Sequence, residues 1–597
     1  MTKHGPSRSR VRVLWLAGLA AAAVASAQPA NVLDLATVAP EDGLVRWIYG
    51  HDGIGSFGLP VAGGHDCDGD GFNDLAVGHL TAAPLARPRA GEVYLAFGNG
   101  TTGGFADSAT DDPTLLKIYG SEFFETAGNE VWMDDVTGDG IADLLICRQN
   151  YRPGPDRLGA GALTILAGGP ELRTYAETLA AVDLLSPPAE LTFTTFVGAA
   201  ELDRLCIWPR TGDVTGDGIA DIVVGADQED GQGDNAGAVY VIRGGGHLKA
   251  DQTIDLADFG STTLAGHIAR ILPPPGSAGY HFGATCQIGD LDGNGRAEVL
   301  ASAALARASA GIEAAGAPSG SAEPAGGAPD GEVYIAWDDN FPSGIWPPGF
   351  EFAISSSPGR RTILRGEGVN VRFGEELLAG RDYDGDGDPD LFVGDLVADG
   401  TPAQDRGSSG YGHVFFDAAE LEDLEFDLDV PPVPLTITRI FGPSANALGA
   451  DTAADGDFDG DGADDLAFAS PHASPQGRPI AGAIHVLFGR KGGWPAVVDL
   501  LPANLPPPKV LRIGEIHGAH GTDGADQGDT LGYSAAAGDV DHDGRTDLIT
   551  NEMVGNGLGG DPVDVGNLIA VNGLAIAGTM VFSDGFESGD TSRWTSP

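Results

Sequence analysis

A nine-residue phrase recurs seven times along the chain, and it limits what the chain can fold into. Its fullest form is Asp382-Tyr383-Asp384-Gly385-Asp386-Gly387-Asp388-Pro389-Asp390, followed at once by the apolar run Leu391-Phe392-Val393-Gly394. Carboxylates occupy positions 1, 3, 5 and 9, and glycine occupies position 6. Calcium is a hard cation that takes six to eight oxygens at about 2.3–2.6 Å. Alternate carboxylates in a tight turn point inward and can supply them. The glycine admits the positive φ that folds the turn back, and the carbonyl of position 7 can face the ion. One such turn alone could be a solvated acidic loop. Seven of them, at steps of 69, 78, 77, 92, 75 and 82 residues, mean a repeat architecture.

The candidate metal ligands follow position by position. The first loop offers Asp66, Asp68, Asp70 and Asp74 with the carbonyl of Phe72. The fifth offers Asp382, Asp384, Asp386 and Asp390 with Asp388; the sixth, Asp457, Asp459, Asp461 and Asp465 with Ala463; the seventh, Asp539, Asp541, Asp543 and Asp547 with Arg545. The second and third carry threonine at position 3: Asp135, Thr137, Asp139, Asp143 with Ile141, and Asp213, Thr215, Asp217, Asp221 with Ile219. The fourth reads Asp290, Asp292, Asn294 and Glu298 with Arg296. Up to seven Ca²⁺ are expected, bound best by the four loops with four carboxylates.

Hydrophobic residues make up 42% of the 597-residue chain, enough for a sizeable core, so this is no disordered acidic protein. A net charge of −53 repels phosphates and argues against nucleic acid or an anionic membrane surface as partner. Residues 1–27 have the form of a signal peptide: Arg8, Arg10 and Arg12, then the apolar run Val13–Val24, then Ala25-Ser26-Ala27. Export into millimolar calcium and an oxidising medium is expected, either secreted or at the cell surface, with a periplasmic location also open. The four cysteines, Cys67, Cys147, Cys206 and Cys286, allow two disulfides or four buried thiols.

Between acidic loops each unit repeats the same order. An apolar run such as Ile222-Val223-Val224-Gly225 follows the loop, then a variable stretch, then Gly-x-Val-Tyr-Val as in Gly237–Val241. A short strand comes next, Ile254-Asp255-Leu256 or Val498-Asp499-Leu500. A Phe-Gly or Leu-Gly pair, such as Phe57-Gly58, Phe282-Gly283, Phe373-Gly374 or Leu448-Gly449, opens the small-residue strand that enters the next loop. Four short strands repeated seven times are the pattern of a β-propeller. Helical periodicity is confined to Glu171–Ala181 and Ala418–Asp423. Residues 301–330 form a low-complexity insertion, expected to be a disordered loop.

Phe-Gly, the D-x-D-x-D-G-x-x-D-Leu loop and Gly-x-Val-Tyr-Val together resemble the FG-GAP repeat. The pattern is similar to the α-subunit propeller of integrins and to many exported bacterial proteins. The resemblance covers roughly residues 31–575, and residues 576–597 form a separate tail. It implies an all-β fold, a seven-bladed propeller of four-stranded antiparallel blades, with calcium in loops joining the first and second strands of each blade. It is informative for fold and metal and poor for function. The expected role is a binding or adhesion module, a monomer, for an extracellular protein or glycan. A propeller-type polysaccharide lyase or hydrolase, and a purely structural envelope component, are the alternatives. No catalytic constellation stands out; His517 and His520 read more readily as a glycine-rich loop than as metal ligands. Val32–Leu35 matches the short-strand pattern yet precedes the first blade, so it is expected to complete the seventh as its outer strand. Loops joining second and third strands would then form the variable face, away from calcium.

Overall fold

The apolar runs and the Gly-x-Val-Tyr-Val segments form strands because β-branched and aromatic residues suit a pleated, buried surface. A computed structural model describes residues 31–51, 56–304, 331–366, 372–399, 406–432, 435–524, 526–560 and 563–578. The signal peptide therefore lies outside the described residues, as do all but 301–304 of the insertion and all but 576–578 of the tail. The strands assemble into seven sheets, one per acidic loop. In blade 1 the inner strand Phe57–His65 pairs antiparallel with Asp74–His79, which pairs with Glu92–Ala96, which pairs with Leu115–Tyr119. The inner strands of successive blades contact one another around a closed ring, Phe57–His65 meeting Leu531–Gly538 of blade 7.

Each sheet has five strands, where the repeat predicts four. The fifth is parallel and comes from the chain of the following blade. Gln252–Asp255 leaves blade 3 and pairs with Phe193–Val197 of blade 2; Val497–Asp499 leaves blade 6 and pairs with Thr436–Phe441 of blade 5. The Ile-Asp-Leu pattern is thus a strand lent outward. The fourth strand proper is the run after it, such as Ile268–Leu272. In blades 1, 2 and 6 an arginine of the receiving blade clamps the aspartate that ends the lent strand. Arg87 takes Asp183 at 2.7 and 2.6 Å, Arg157 takes Asp255 at 2.7 and 2.8 Å, and Arg478 takes Asp34 at 2.8 Å.

The same rule corrects the expected closure. Asn31–Asp34 is a lent strand: it pairs parallel with Ile513–His517 of blade 6. The fourth strand of blade 7 is Val45–Tyr49, antiparallel to Asn567–Val571, and Gly104–Asp107 lies outside it. Two N-terminal strands therefore close the ring, on adjacent blades. Val45, Trp47 and Ile48 are buried in the blade core, whereas Val32 is exposed at the edge.

Glycine before each third strand permits the blades to nest. A Cβ on Gly91 would lie 2.1 Å from the carbonyl oxygen of Ala127, on Gly237 2.2 Å from that of Phe282, and on Gly566 2.0 Å from that of Phe57. The last contact joins blade 7 to blade 1. The Phe-Gly pair and the Gly-x-Val-Tyr-Val segment are two halves of one backbone contact, which no side chain could enter. Cores lie between blades; Val61, Leu75 and Val77 pack with Ile549, Leu568 and Ile48, for example. Cys147 and Cys206 form a disulfide between blades 2 and 3, while Cys67 and Cys286 are buried free thiols. The expected helical turns are one short α-helix, Glu171–Ala176, and a 3-10 turn, Ala418–Leu421. No helix of the described residues is long and apolar enough to cross a membrane.

Candidate metal centres and the opposite face

Every acidic loop joins an inner strand to a second strand, and the seven lie on one face. Positions 4 and 6 have positive φ: Gly69 75° and Gly71 93°, Gly385 66° and Gly387 99°. His542 holds position 4 of the seventh loop at 61°. Position 1 folds the turn by accepting backbone N–H groups. Asp66 takes Gly69 (2.7 Å) and Gly71 (2.8 Å); Asp382 takes Asp386 (3.1 Å) and Gly387 (2.9 Å). Position 5 accepts from position 7, as Asp70 does from Phe72 (2.9 Å) and Asp543 from Arg545 (2.9 Å).

Position 9 is buried in all seven loops and ties each to its blade. One oxygen accepts from position 2 or 3, the other from the first or second residue after the third strand. Asp74 takes Cys67 (2.8 Å) and Gly98 (2.7 Å); Asp465 takes Phe458 (3.0 Å) and Gly489 (2.7 Å). Burial pushes these carboxyls up, Asp143 and Asp221 to about 6, Asp74 and Asp547 to about 7, and Glu298, Asp390 and Asp465 to about 8, against the pull of those backbone donors. A cation beside them would favour the ionised form.

The loops are also linked to one another. Position 8 of one donates to the position 1 carbonyl of the one before: Ala142 to Asp66 (2.9 Å), Ala297 to Asp213 (2.8 Å), Asp464 to Asp382 (2.9 Å). Asn73 Nδ2 donates to Asp539 O (2.7 Å) and links blade 1 to blade 7, whereas Pro389 at position 8 of the fifth loop has no N–H to give. Ligand atoms of Asp66, Asp68 and Asp70 lie within 4.8 Å of one another, as do those of Asp290, Asp292 and Glu298, of Asp382, Asp384 and Asp390, and of Asp457, Asp459 and Asp465. These all-oxygen sets fit a hard cation such as calcium. Thr137 and Thr215 present their backbone N–H to position 9 (2.9 Å each), and Thr215 Oγ1 is buried without a partner.

Sequence reasoning missed a second acidic group, Asp386, Asp388 and Asp417. Asp417 stands where blades 1, 2, 3, 6 and 7 have Gly98, Gly168, Gly244, Gly489 and Gly573, and that substitution was its signal. It also missed the basic side chains that reach into the loops. Arg173 donates to Asp68 and to Asp70 (2.5 Å), Lys249 to Asp139, Arg243 to Asp217 (2.8 Å) and Arg512 to Asp459 (2.5 Å). Arg360 lies 3.6 Å from Asp292. In the fifth and seventh loops, among the described residues, no Lys or Arg pairs with a ligand-position carboxylate. Asp541 accepts from neutral Asn572 (2.8 Å), and Asp384 Oδ1 is buried without a partner.

His517 and His520 do not form a site together. His517 is buried on the fourth strand of blade 6 with Nε2 2.6 Å from Glu515, while His520 turns to Asp529 (3.4 Å). On the face opposite the acidic loops lie the connections between second and third strands and those between blades. There Leu85, Phe123, Phe124, Leu158 and Leu202 are exposed. Their loops are joined by backbone bonds, Leu202 N–H to Leu158 O (2.9 Å) and Phe124 N–H to Pro88 O (3.0 Å).

Comparison with protein families finds the FG-GAP repeat at residues 209–242 and 448–487. The chain carries FG-GAP repeats at these two positions. Its matched segments run through the third and sixth acidic loops to the ends of the following third strands. The seven-bladed propeller is the architecture of integrin α-subunit N-terminal domains. No curated protein matches the chain. An FG-GAP propeller is in general a ligand-binding or structural module.

Proposed function

We propose that this FG-GAP protein is an exported, calcium-loaded binding module. Calcium in the acidic loops holds one face rigid, and an extracellular protein or glycan docks on the other. The observation that carries the reading is the group Leu85, Phe123, Phe124, Leu158 and Leu202, exposed on the face away from the loops and contributed by blades 1 to 3. A rigid scaffold that presents connected loops with apolar tips is suited to recognition. Calcium has no chemical role in this reading.

The test is attachment of the purified chain to the outer surface of the producing cells. Leu85→Ser with Phe123→Ser and Leu202→Ser should abolish attachment and leave the melting curve unchanged. Asp457→Asn with Asp461→Asn should lower the melting temperature in calcium while attachment at low temperature persists. Loss of attachment in the second variant alone would refute the placement.

A further inference from the structure

The inner strands of blades 2 and 3 carry four side chains that the acidic loops do not use: Glu130 and Trp132, and Trp208 and Arg210. With residues that include Pro60, Thr452, Tyr533 and Ser534 they line a cavity of about 40 Å³ on the propeller axis. Pro60 and Tyr533 stand near the starts of strands that run toward the acidic loops, whereas Trp132 and Arg210 stand three residues before the second and third loops, so the cavity occupies the middle of the channel.

Arg210 is buried, its guanidinium 4.3 Å from the Trp132 ring and 5.1 Å from the Trp208 ring. Nη1 donates to Pro209 O (2.8 Å); among the described residues Arg210 has no ion pair. Trp208 holds φ 57°, a region bulky residues rarely enter, and the strand slips register on both sides of Ile207 to allow it. Trp208 Nε1 is buried without a partner, and so is Oε2 of Glu376 on the inner strand of blade 5. Strain of this kind clusters at functional sites, and unpaired buried donors and acceptors demand an explanation.

We propose that this cavity binds the carboxylate of a sugar acid. A guanidinium receives a carboxylate through paired N–H donors, and indole faces pack against an apolar ring surface. At about 40 Å³, against roughly 150 Å³ for a cavity that holds benzene, this cavity takes a carboxylate but no ring. The ring therefore lies outside the cavity, beside Trp132 and Trp208, since the Tyr533 hydroxyl already pairs with His472 (2.8 Å) and Ser534 Oγ accepts from Val61 N–H (3.0 Å). Burial holds Glu130 up at about 7 and Glu376 at about 8, so neither imposes a full negative charge on the incoming anion near neutral pH. The net charge of −53 disfavours polyanionic ligands. Access to the site rests on the proposed binding face.

Glucuronate, glucose and acetate are titrated into the full calcium-saturated chain, and tryptophan fluorescence is followed. Glucuronate should give a saturable change and glucose none. Acetate, which lacks the ring, should bind more weakly than glucuronate. Arg210→Gln should weaken glucuronate at least about tenfold. Arg210→Lys, which keeps the charge without the fork, should also weaken it and carries the test where the glutamine variant melts early. Equal responses to glucose and glucuronate, no saturation, or unchanged affinity in both variants would overturn the site. Failure here with cell attachment still abolished by the Leu85, Phe123 and Leu202 substitutions removes the sugar-acid site and leaves the binding face standing.

Discussion

The first and fifth acidic loops are spelled almost alike, D-C-D-G-D-G-F-N-D at Asp66–Asp74 and D-Y-D-G-D-G-D-P-D at Asp382–Asp390. Their surroundings differ. Arg173, on the short helix Glu171–Ala176 of the next blade, sits on Asp68 and Asp70 and already neutralises part of the first loop. In the fifth loop Asp384 Oδ1 has no partner, and burial with Asp386 and Asp382 nearby lifts Asp384 to about 6. A cation entering the first loop must displace a guanidinium, whereas one entering the fifth relieves uncompensated charge. Calcium affinity at the first loop is therefore expected to depend on Arg173, 105 positions from Asp68, as well as on the loop itself. Among the four-carboxylate loops, expected to bind best, the fifth and seventh are expected to bind tightest.

The largest expected effect tests where the two loops agree. Asp74 and Asp390, like the other position 9 carboxyls, have folded pKa values raised by burial to about 7 and about 8. A raised acid pKa means the folded state binds protons more tightly than the unfolded chain. In chelator, stability should therefore rise as pH falls from about 8 toward about 5, by roughly several kcal/mol over the set. In calcium, where the ions require carboxylates, stability should fall over the same range. Denaturant melts at stepped pH check it; parallel trends in both conditions would break the account of position 9.

Next in size is the contrast itself. At about 1 mM calcium a site with Kd of roughly 10⁻⁴–10⁻³ M stabilises by about 1.4–0.4 kcal/mol. The calcium-dependent part of the loss in Asp382→Ala with Asp386→Ala should sit near the upper figure, and that in Asp66→Ala with Asp70→Ala near the lower. Arg173→Gln should then destabilise the chelated protein by up to about 1 kcal/mol while tightening calcium at the first loop, read by calorimetric titration. The smallest effect is a reversal of sign. Asp384→Asn removes an unpaired charge and should stabilise the chelated protein by about 0.5 kcal/mol, yet destabilise the calcium form. A destabilisation in both conditions would remove the distinction between the loops.

Much of the fold was legible because the repeat is local. Loop, second strand and third strand lie within about 35 residues in every blade but the fourth, which carries the insertion, and Phe-Gly marks the next inner strand. What was misread is non-local. Val32-Leu33-Asp34 and Ile254-Asp255-Leu256 look like fourth strands because they alternate like strands, but their pairing partner lies in another blade. Only the clamps Arg478–Asp34 and Arg157–Asp255 reveal it, and nothing in the spacing shows which arginine meets which aspartate. The carboxylates of the candidate centres were legible for the same reason the repeat was. Arg173, Lys249, Arg243, Arg360 and Arg512 were not, because they reach the loops from variable connections.

The measurement that bears most directly on the central claim is the thermal unfolding of the full chain in millimolar calcium and in chelator at neutral pH. Seven independent sites would contribute about 3–10 kcal/mol, comparable with the usual total of about 5–15 kcal/mol. The account predicts a large upward shift of the melting temperature in calcium, most of it lost when the fifth and seventh loops are disarmed together. Coincident curves in calcium and chelator would contradict it.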